Sequence, residues 1–192
     1  ECGPGFRPGA YVVVFGCGPI GLFSIAHAKN QGAAKIIVFE IIPERQDLAK
    51  GYGADYVYDP QKLGGKEPYE VVMDLTDGEG ADILIEAAGV ANITFPQIEK
   101  SMAPVAWTIN TAMSKERVPL YLVPYAFKKG RIAVGVGHAG HDNFKNVIRL
   151  ISAGRFDPTR VITGRFPLEK YLEGIECAKS RAGGKVILTM NR

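Results

Sequence analysis

"VVVFGCGPIGL", residues 12–22, is an apolar run that breaks into glycines at 16, 18 and 21 and then turns apolar again. It is either a cradle for a phosphate or a plain glycine-rich turn, and its neighbours decide between the two. Tyr11–Phe15 is short and β-branched, the pattern of a strand buried on both faces. Ile20–Gln31 carries wide apolar coverage through Ile20, Phe23, Ile25, Ala26 and Ala28, and Gly32 supplies a stop, so a helix follows the glycines. Lys35–Glu40 is a second strand that closes on an acid, 19 residues after Gly21.

A glycine pattern that leaves a strand, opens a helix and is followed by an acid-ended strand has the context of a dinucleotide fingerprint. Each residue type has a physical task. Gly16 permits the tight turn out of the strand, Gly18 lets a pyrophosphate approach the backbone, and Gly21 lets the helix lie close on the sheet. Pro19 suits the first helical turn, where its missing N–H is not needed. The free amides at Ile20 and beyond, with the helix dipole, face the anion. The Glu40 carboxylate can accept hydrogen bonds from both hydroxyls of a ribose and would repel a 2′-phosphate, so NAD is favoured over NADP. Methyltransferases using S-adenosylmethionine also place a glycine loop here, but they usually carry an acid just before the first glycine, where this chain has Phe15. Flavin proteins usually add a second glycine cluster that is missing from this sequence.

The rest of the chain keeps the same rhythm. Pro43–Tyr52 is a helix, Tyr56–Tyr58 a short strand, and Tyr69–Asp74 lies in a third helix. Ile83–Glu86, Val105–Asn110 and Arg131–Val136 are strands four to six, with a helix at Phe95–Met102 and another at Phe144–Ala153. Alternating strands and helices specify an α/β fold, a Rossmann-type doubly wound and mostly parallel six-stranded sheet. The tail, Val161–Phe166, Leu168–Ala178 and Lys185–Met190, forms a small C-terminal α/β extension. The expected division is 1–138 for the NAD-binding domain and 139–192 for the extension.

Composition narrows the function. The net charge of +3 on 192 residues is small and its basic residues are dispersed, which gives no reason to expect nucleic acid. No apolar run reaches the ~20 residues of a membrane span, and Glu1-Cys2-Gly3-Pro4 has no signal-peptide character. Three cysteines at wide spacings, Cys2, Cys17 and Cys177, argue against a disulfide framework or a zinc knuckle and fit a reducing cytoplasm.

The stretches "VVVFGCGPIGL", "AKNQGAAKIIVFEIIPERQDLAKGYGADYVYDP", "GADILIEAAGV" and "GHAGHDNFKNVIRLISAGRFDPTRVITGRFPLEKYLEGIECAKSRAGGKVIL" together resemble the coenzyme domain of the medium-chain, zinc-dependent alcohol and polyol dehydrogenases. "FPQIEK" and "GHAGHDNF" resemble the sugar and polyol branch, with its sorbitol and threonine dehydrogenases. The resemblance implies hydride transfer between a secondary alcohol and NAD. It also implies a zinc ion that stabilises the alkoxide, held by an N-terminal catalytic domain whose cysteine and His-Glu ligands are not among these residues. No catalytic residue and no metal ligand is therefore expected here. The alternative is a nucleotide-binding or sensing module without catalysis.

By the same resemblance, Arg45 contacts the adenosine ribose; read locally, it is a helix arginine that pairs with Glu44 or Asp47. Ala88 and Gly89 line the adenine side, or simply turn from strand to helix. Ile109, Asn110 and Thr111, and Gly135, Val136, Gly137 and His138, offer backbone groups to the nicotinamide at carboxyl ends of parallel strands. Lys185 matches a basic position near the pyrophosphate, or is a charge at the start of an edge strand. His138, His141 and Asp142 read as loop residues rather than a metal cluster, with Asp142 or Asn143 the N-cap of the helix at Phe144. Cys17 sits at a helix N-terminus that could lower its pKa, although the loop needs only its backbone. Trp107 belongs to the core or an interface. The sixth strand, Arg131–Val136, is an unprotected edge, and the resemblance implies a homodimer, or dimer of dimers, formed there.

Overall fold

The computed structural model describes residues 6–134 and 141–190, with the backbone alone described for His141 and Asp142. A single parallel sheet organises most of them. Its strands are β1 (Tyr11–Phe15), β2 (Lys35–Phe39), β3 (Tyr56–Tyr58), β4 (Ala81–Glu86), β5 (Met102–Asn110) and β6 (Arg131–Ala133), in the order β3-β2-β1-β4-β5-β6. Every pairing is parallel. The order reverses direction between β1 and β4, so the carboxyl ends of these two strands form the crevice where open α/β sheets take their ligands.

The strands are apolar on both faces because helices cover both. Val12 and Val14 of β1 point to one side, Val13 and Phe15 to the other. On the first side lie α1 (Pro19–Asn30), through Leu22 and Ile25, and α2 (Pro43–Gly51), through Ala49. On the second lie α3 (Pro68–Leu75), α4 (Ala91–Ser101) and α5 (Leu122–Lys128), through Val72, Phe95, Ile98 and Tyr125. Beyond them come α6 (His141–Ser152), a 3-10 turn at Pro158–Val161, β7 (Ile162–Pro167), α7 (Tyr171–Lys179) and β8 (Lys185–Thr189). β7 and β8 form their own two-stranded parallel sheet. The tail is tied to the main layers by Val161 in the core, by Phe156 edge-on to Phe23, and by the Asn30 amide donating to the Arg155 carbonyl. Among the described residues no helix is long and apolar enough to cross a membrane.

Several elements depart from the reading of the sequence. α4 starts at Ala91, four residues before the expected Phe95, and carries Pro96 inside it. Met102 is not its last residue but the first of β5. α5 was not anticipated within "LYLVPYAFKK", although a parallel β5–β6 pair requires a crossover. α6 begins at His141, so Asp142 and Asn143 lie in its first turn rather than capping it at Phe144. β6 ends at Ala133; the expected part at Gly135 and Val136, and the domain boundary at 138–139, fall outside the described residues.

β5 contains a strained position. Its pairing with β4 jumps between Ala81↔Met102 and Ile83↔Trp107, and inside the bulge Val105 has φ +57°. A β-branched residue in the left-handed region is a true outlier, at a cost of about 1–2 kcal/mol. Val105 is exposed and gives up little packing on truncation. Val105→Gly is expected to raise stability by about 1 kcal/mol, a Tm increase of about 2–4 °C for a chain of this size. Thermal denaturation checks this; a lower Tm would mean that the valine methyls contribute more than the backbone loses.

Candidate functional site

The crevice is built from the first glycine turn, and each of its three glycines is constrained differently. Gly16 has φ +90°, and a Cβ there would stand 2.6 Å from the Ala88 Cα. A Cβ on Gly21 would overlap the Gly16 carbonyl oxygen. These two glycines are required by the fold itself. Gly18 is different: it has an ordinary φ of −63°, and the nearest atom to a Cβ would be Arg45 Nη1 at 3.9 Å. The space above Gly18 is open, with a cation at its side. Pro19 opens α1 at a terminus where no side chain caps the amides. Ile20 is half exposed over the same turn.

Glu40 stands just past β2 and is 6% exposed. Its Oε2 accepts the Cys17 N–H at 2.6 Å and its Oε1 the Ile42 N–H at 3.0 Å, while its carbonyl accepts from Gln46 Nε2 at 2.7 Å. The acid therefore holds the glycine turn in place, a structural task that the spacing alone did not reveal. An ionised carboxylate has about four acceptor positions, so two remain for a ligand. Beside it Ile41 is exposed, an apolar surface that the sequence reading passed over.

Arg45 pairs with neither Glu44 nor Asp47. Its Nε donates to the Gly183 carbonyl at 3.0 Å, from the loop that precedes β8, and its Nη1 faces Gly18. Lys185, two residues further on, is exposed at the start of β8. Thus Arg45 brings the tail to the turn, in place of a local ion pair.

On the other wall, Ala88 and Gly89 follow β4, and their amides donate to Glu86 Oε1 at 3.1 and 3.0 Å. Thr111 donates twice to the Glu86 carbonyl, from its N–H at 2.9 Å and its hydroxyl at 2.7 Å, which leaves its own carbonyl for other uses. Ile109 and Asn110 are the last residues of β5, level with Ile85 and Glu86. Val136, Gly137 and His138 lie outside the described residues. A separate cleft of about 130 Å³ opens at the far ends of α1 and α2, lined by Lys29, Tyr52, Arg155 and Arg160, away from this edge.

The Cys17 thiol is fully buried. Burial pushes it far above the usual thiol range, and the Glu40 carboxylate adds to the effect against Arg45. A helix N-terminus does not lower this pKa, because desolvation of the thiolate outweighs it. Iodoacetamide applied to the folded chain is expected to label the exposed Cys177 and spare Cys17, read by peptide mass mapping. Labelling of Cys17 at the rate of Cys177 would contradict the buried loop.

Among the described residues no three His, Cys, Asp or Glu side chains group as a metal site.

Residues 19–153 match the family model described as "Zinc-binding dehydrogenase". The chain belongs to the zinc-binding dehydrogenase family. It is 37% identical to the scyllo-inosose 3-dehydrogenase of Thermotoga maritima over 189 residues, covering 93% of this chain and 46% of that protein. It is 33% identical to an L-threonine 3-dehydrogenase of Bacillus subtilis, covering 94% of this chain and 51% of the relative. The solved alcohol dehydrogenase of Thermus sp. ATN1 superposes with a TM-score of 0.85 at 29% identity, over 97% of this chain and 54% of that one. The chain thus spans about half the length of the relatives it matches. Family and fold together place it among oxidoreductase coenzyme-binding domains with a six-stranded Rossmann-type sheet.

Proposed function

We propose that the chain binds NAD at the β1–β4 crevice and serves as the coenzyme domain of an enzyme that oxidises a polyol, sugar alcohol or other secondary alcohol. The observation that carries this reading is the contrast among the three glycines: two are fixed by packing, and the third leaves an open space beside a cation. That is the geometry of a turn kept clear for a pyrophosphate. Gly16, Gly18, Pro19, Ile20 and Gly21 would hold the pyrophosphate, with Arg45 and Lys185 supplying charge-assisted contacts. Glu40 would accept from the ribose hydroxyls. Its negative charge disfavours a 2′-phosphate and selects NAD over NADP. Ile41, Ala88 and Gly89 would face the adenosine, and Ile109, Asn110, Thr111, Val136, Gly137 and His138 the nicotinamide. When bound, NAD supplies the hydride acceptor.

The residues described here do not fit a zinc site, so no step is assigned to that metal within the chain. We place it with residues outside the chain, a reading supported by the half-length match to the relatives. The apolar exposure of Phe144 and Ile148 on α6, and of Leu172 and Met190 in the tail, supports a further domain packing there. Calorimetric titration with NAD and NADP, alongside a polyol oxidation assay, tests the proposal. The chain is expected to bind NAD, to bind NADP more weakly, and to show no turnover. NADP bound as tightly as NAD would overturn the assignment of Glu40.

The same reading includes a dimer about the edge at β6. The outer side of β6 has no partner strand among the described residues, and Val134, just past its end, is 69% exposed. Ile132 packs against the core, so it is a poor probe of this edge. Val134→Asp is expected to shift sedimentation equilibrium at micromolar concentration from dimer to monomer with the fold retained. A wild-type chain that stays monomeric would remove the dimer.

A further inference from the structure

One row of side chains crosses the carboxyl edge of the sheet on the α3–α4 face. Tyr58, Phe39, Phe15, Glu86 and Asn110 are register neighbours on successive strands. The first three are stacked aromatics, with centroids 6.1 and 5.1 Å apart. The row then changes character, and its fourth member is an acid that is fully buried. Glu86 Oε1 accepts the amides of Ala88, Gly89 and Val90. It thereby holds the turn leading into α4 up to its N-cap residue, Val90, whose own side chain makes no capping bond. Glu86 Oε2 is buried and has no donor, and Asn110 Oδ1, on the neighbouring strand, is likewise a buried acceptor without one.

Two adjacent buried acceptors are costly unless something donates to them. A single proton resolves both. We propose that Glu86 is a positioning residue for the dinucleotide and works as a neutral acid, its Oε2–H donating to Asn110 Oδ1 while its Oε1 holds the amides of the turn at 87–90. The proposal rests on the coenzyme reading above, since that turn is the wall assigned to the dinucleotide. The groups facing the carboxyl are Phe15 on β1, Asn110 on β5, the Thr94 hydroxyl on α4 and the three turn amides; no charged side chain contributes among the described residues, so burial favours the neutral form and only the hydroxyl and the amides favour the ionised one. Burial moves the Glu86 carboxyl upward, against the pull of those amides. Neutrality has a consequence for the ligand, because it keeps a buried negative charge away from an anionic pyrophosphate.

The test uses chain carrying ¹³Cδ-labelled glutamate, followed by NMR from acid to neutral pH. One resonance, absent in Glu86→Gln, is expected to keep its protonated position after the exposed glutamates have titrated. The isosteric Glu86→Gln, whose amide donates to Asn110 Oδ1 in place of the acid, is expected to bind NAD within about twofold of wild type, whereas Glu86→Ala loses about tenfold, the scale of one hydrogen-bond set. As pH rises through the Glu86 titration, wild-type affinity should fall while that of Glu86→Gln stays level. A Glu86 resonance that titrates with the surface glutamates overturns the shared proton and favours a carboxylate facing a turned Asn110 amide. Glu86→Gln as weak as Glu86→Ala overturns it too. Failure of the wild-type chain to bind NAD overturns the coenzyme reading and the positioning role with it, while the resonance still decides where the proton sits.

Discussion

Alanine at Gly18 should abolish tight dinucleotide binding and leave the fold intact, whereas alanine at Gly16 should damage the fold itself. The two positions are separated by one residue and behave oppositely for a steric reason. At Gly16 the backbone has φ +90°, and the added Cβ would meet Ala88 atoms at 2.6–2.8 Å. Left-handed strain and overpacking against a strand end together cost about 2–5 kcal/mol. At Gly18 the backbone is in an ordinary region, and the Cβ meets only Arg45 Nη1 at van der Waals distance. Its stability should change little. The same methyl would stand where a pyrophosphate must approach, at a cost of about 1–3 kcal/mol, roughly 5- to 150-fold in Kd. Thermal denaturation and calorimetry on both variants read the contrast. Equal destabilisation by the two changes would mean that Gly18 is a packing glycine like its neighbours.

Glu40→Ala should lower NAD affinity by about 1.5–3 kcal/mol, the scale of hydrogen bonds to a charged group. It should also narrow the preference over NADP, since the repulsion of a 2′-phosphate goes with the carboxylate. A second effect comes from the hydrogen bonds within the chain. The carboxylate accepts the Cys17 and Ile42 amides, and leaving such donors unpaired costs about 1–3 kcal/mol of stability. Glu40→Gln separates the two effects, because it retains an acceptor oxygen while removing the charge. It should recover part of the stability and still bind NADP relatively better than wild type does. An unchanged NADP-to-NAD ratio in both variants would show that selectivity comes from elsewhere, with Arg45 the first residue to examine.

The parts of the molecule legible in its sequence are those governed by local pattern. Six short apolar runs became strands of the sheet, and the glycine turn with its acid 19 residues on marked the crevice. What was not legible depends on groups that meet across the fold. α4 begins at Ala91 without a Ser, Thr, Asp or Asn cap, and the turn that leads into it is held instead by Glu86 at the end of β4, which accepts the amides of Ala88, Gly89 and Val90. Pro96, a residue at home in a first turn, instead sits inside the helix, which starts at Ala91 rather than at the expected Phe95. Arg45 offered two acidic neighbours in sequence and takes a carbonyl 138 residues away. Cys17 carries the opposite shift from the one a helix N-terminus suggests, since burial dominates. Glu86 itself was hidden by Ala87-Ala88-Gly89, which reads as a turn and gives no hint that an acid organises it.

The most direct measurement is an amide correlation spectrum of the chain titrated with NAD. The account predicts that the largest shifts fall on residues 16–21, on Ile41 and on Ala88 and Gly89, with residues 26–30 and 155–160 around the distant cleft unmoved. Shifts confined to that cleft, or no shift at the glycine turn at saturating NAD, would contradict it.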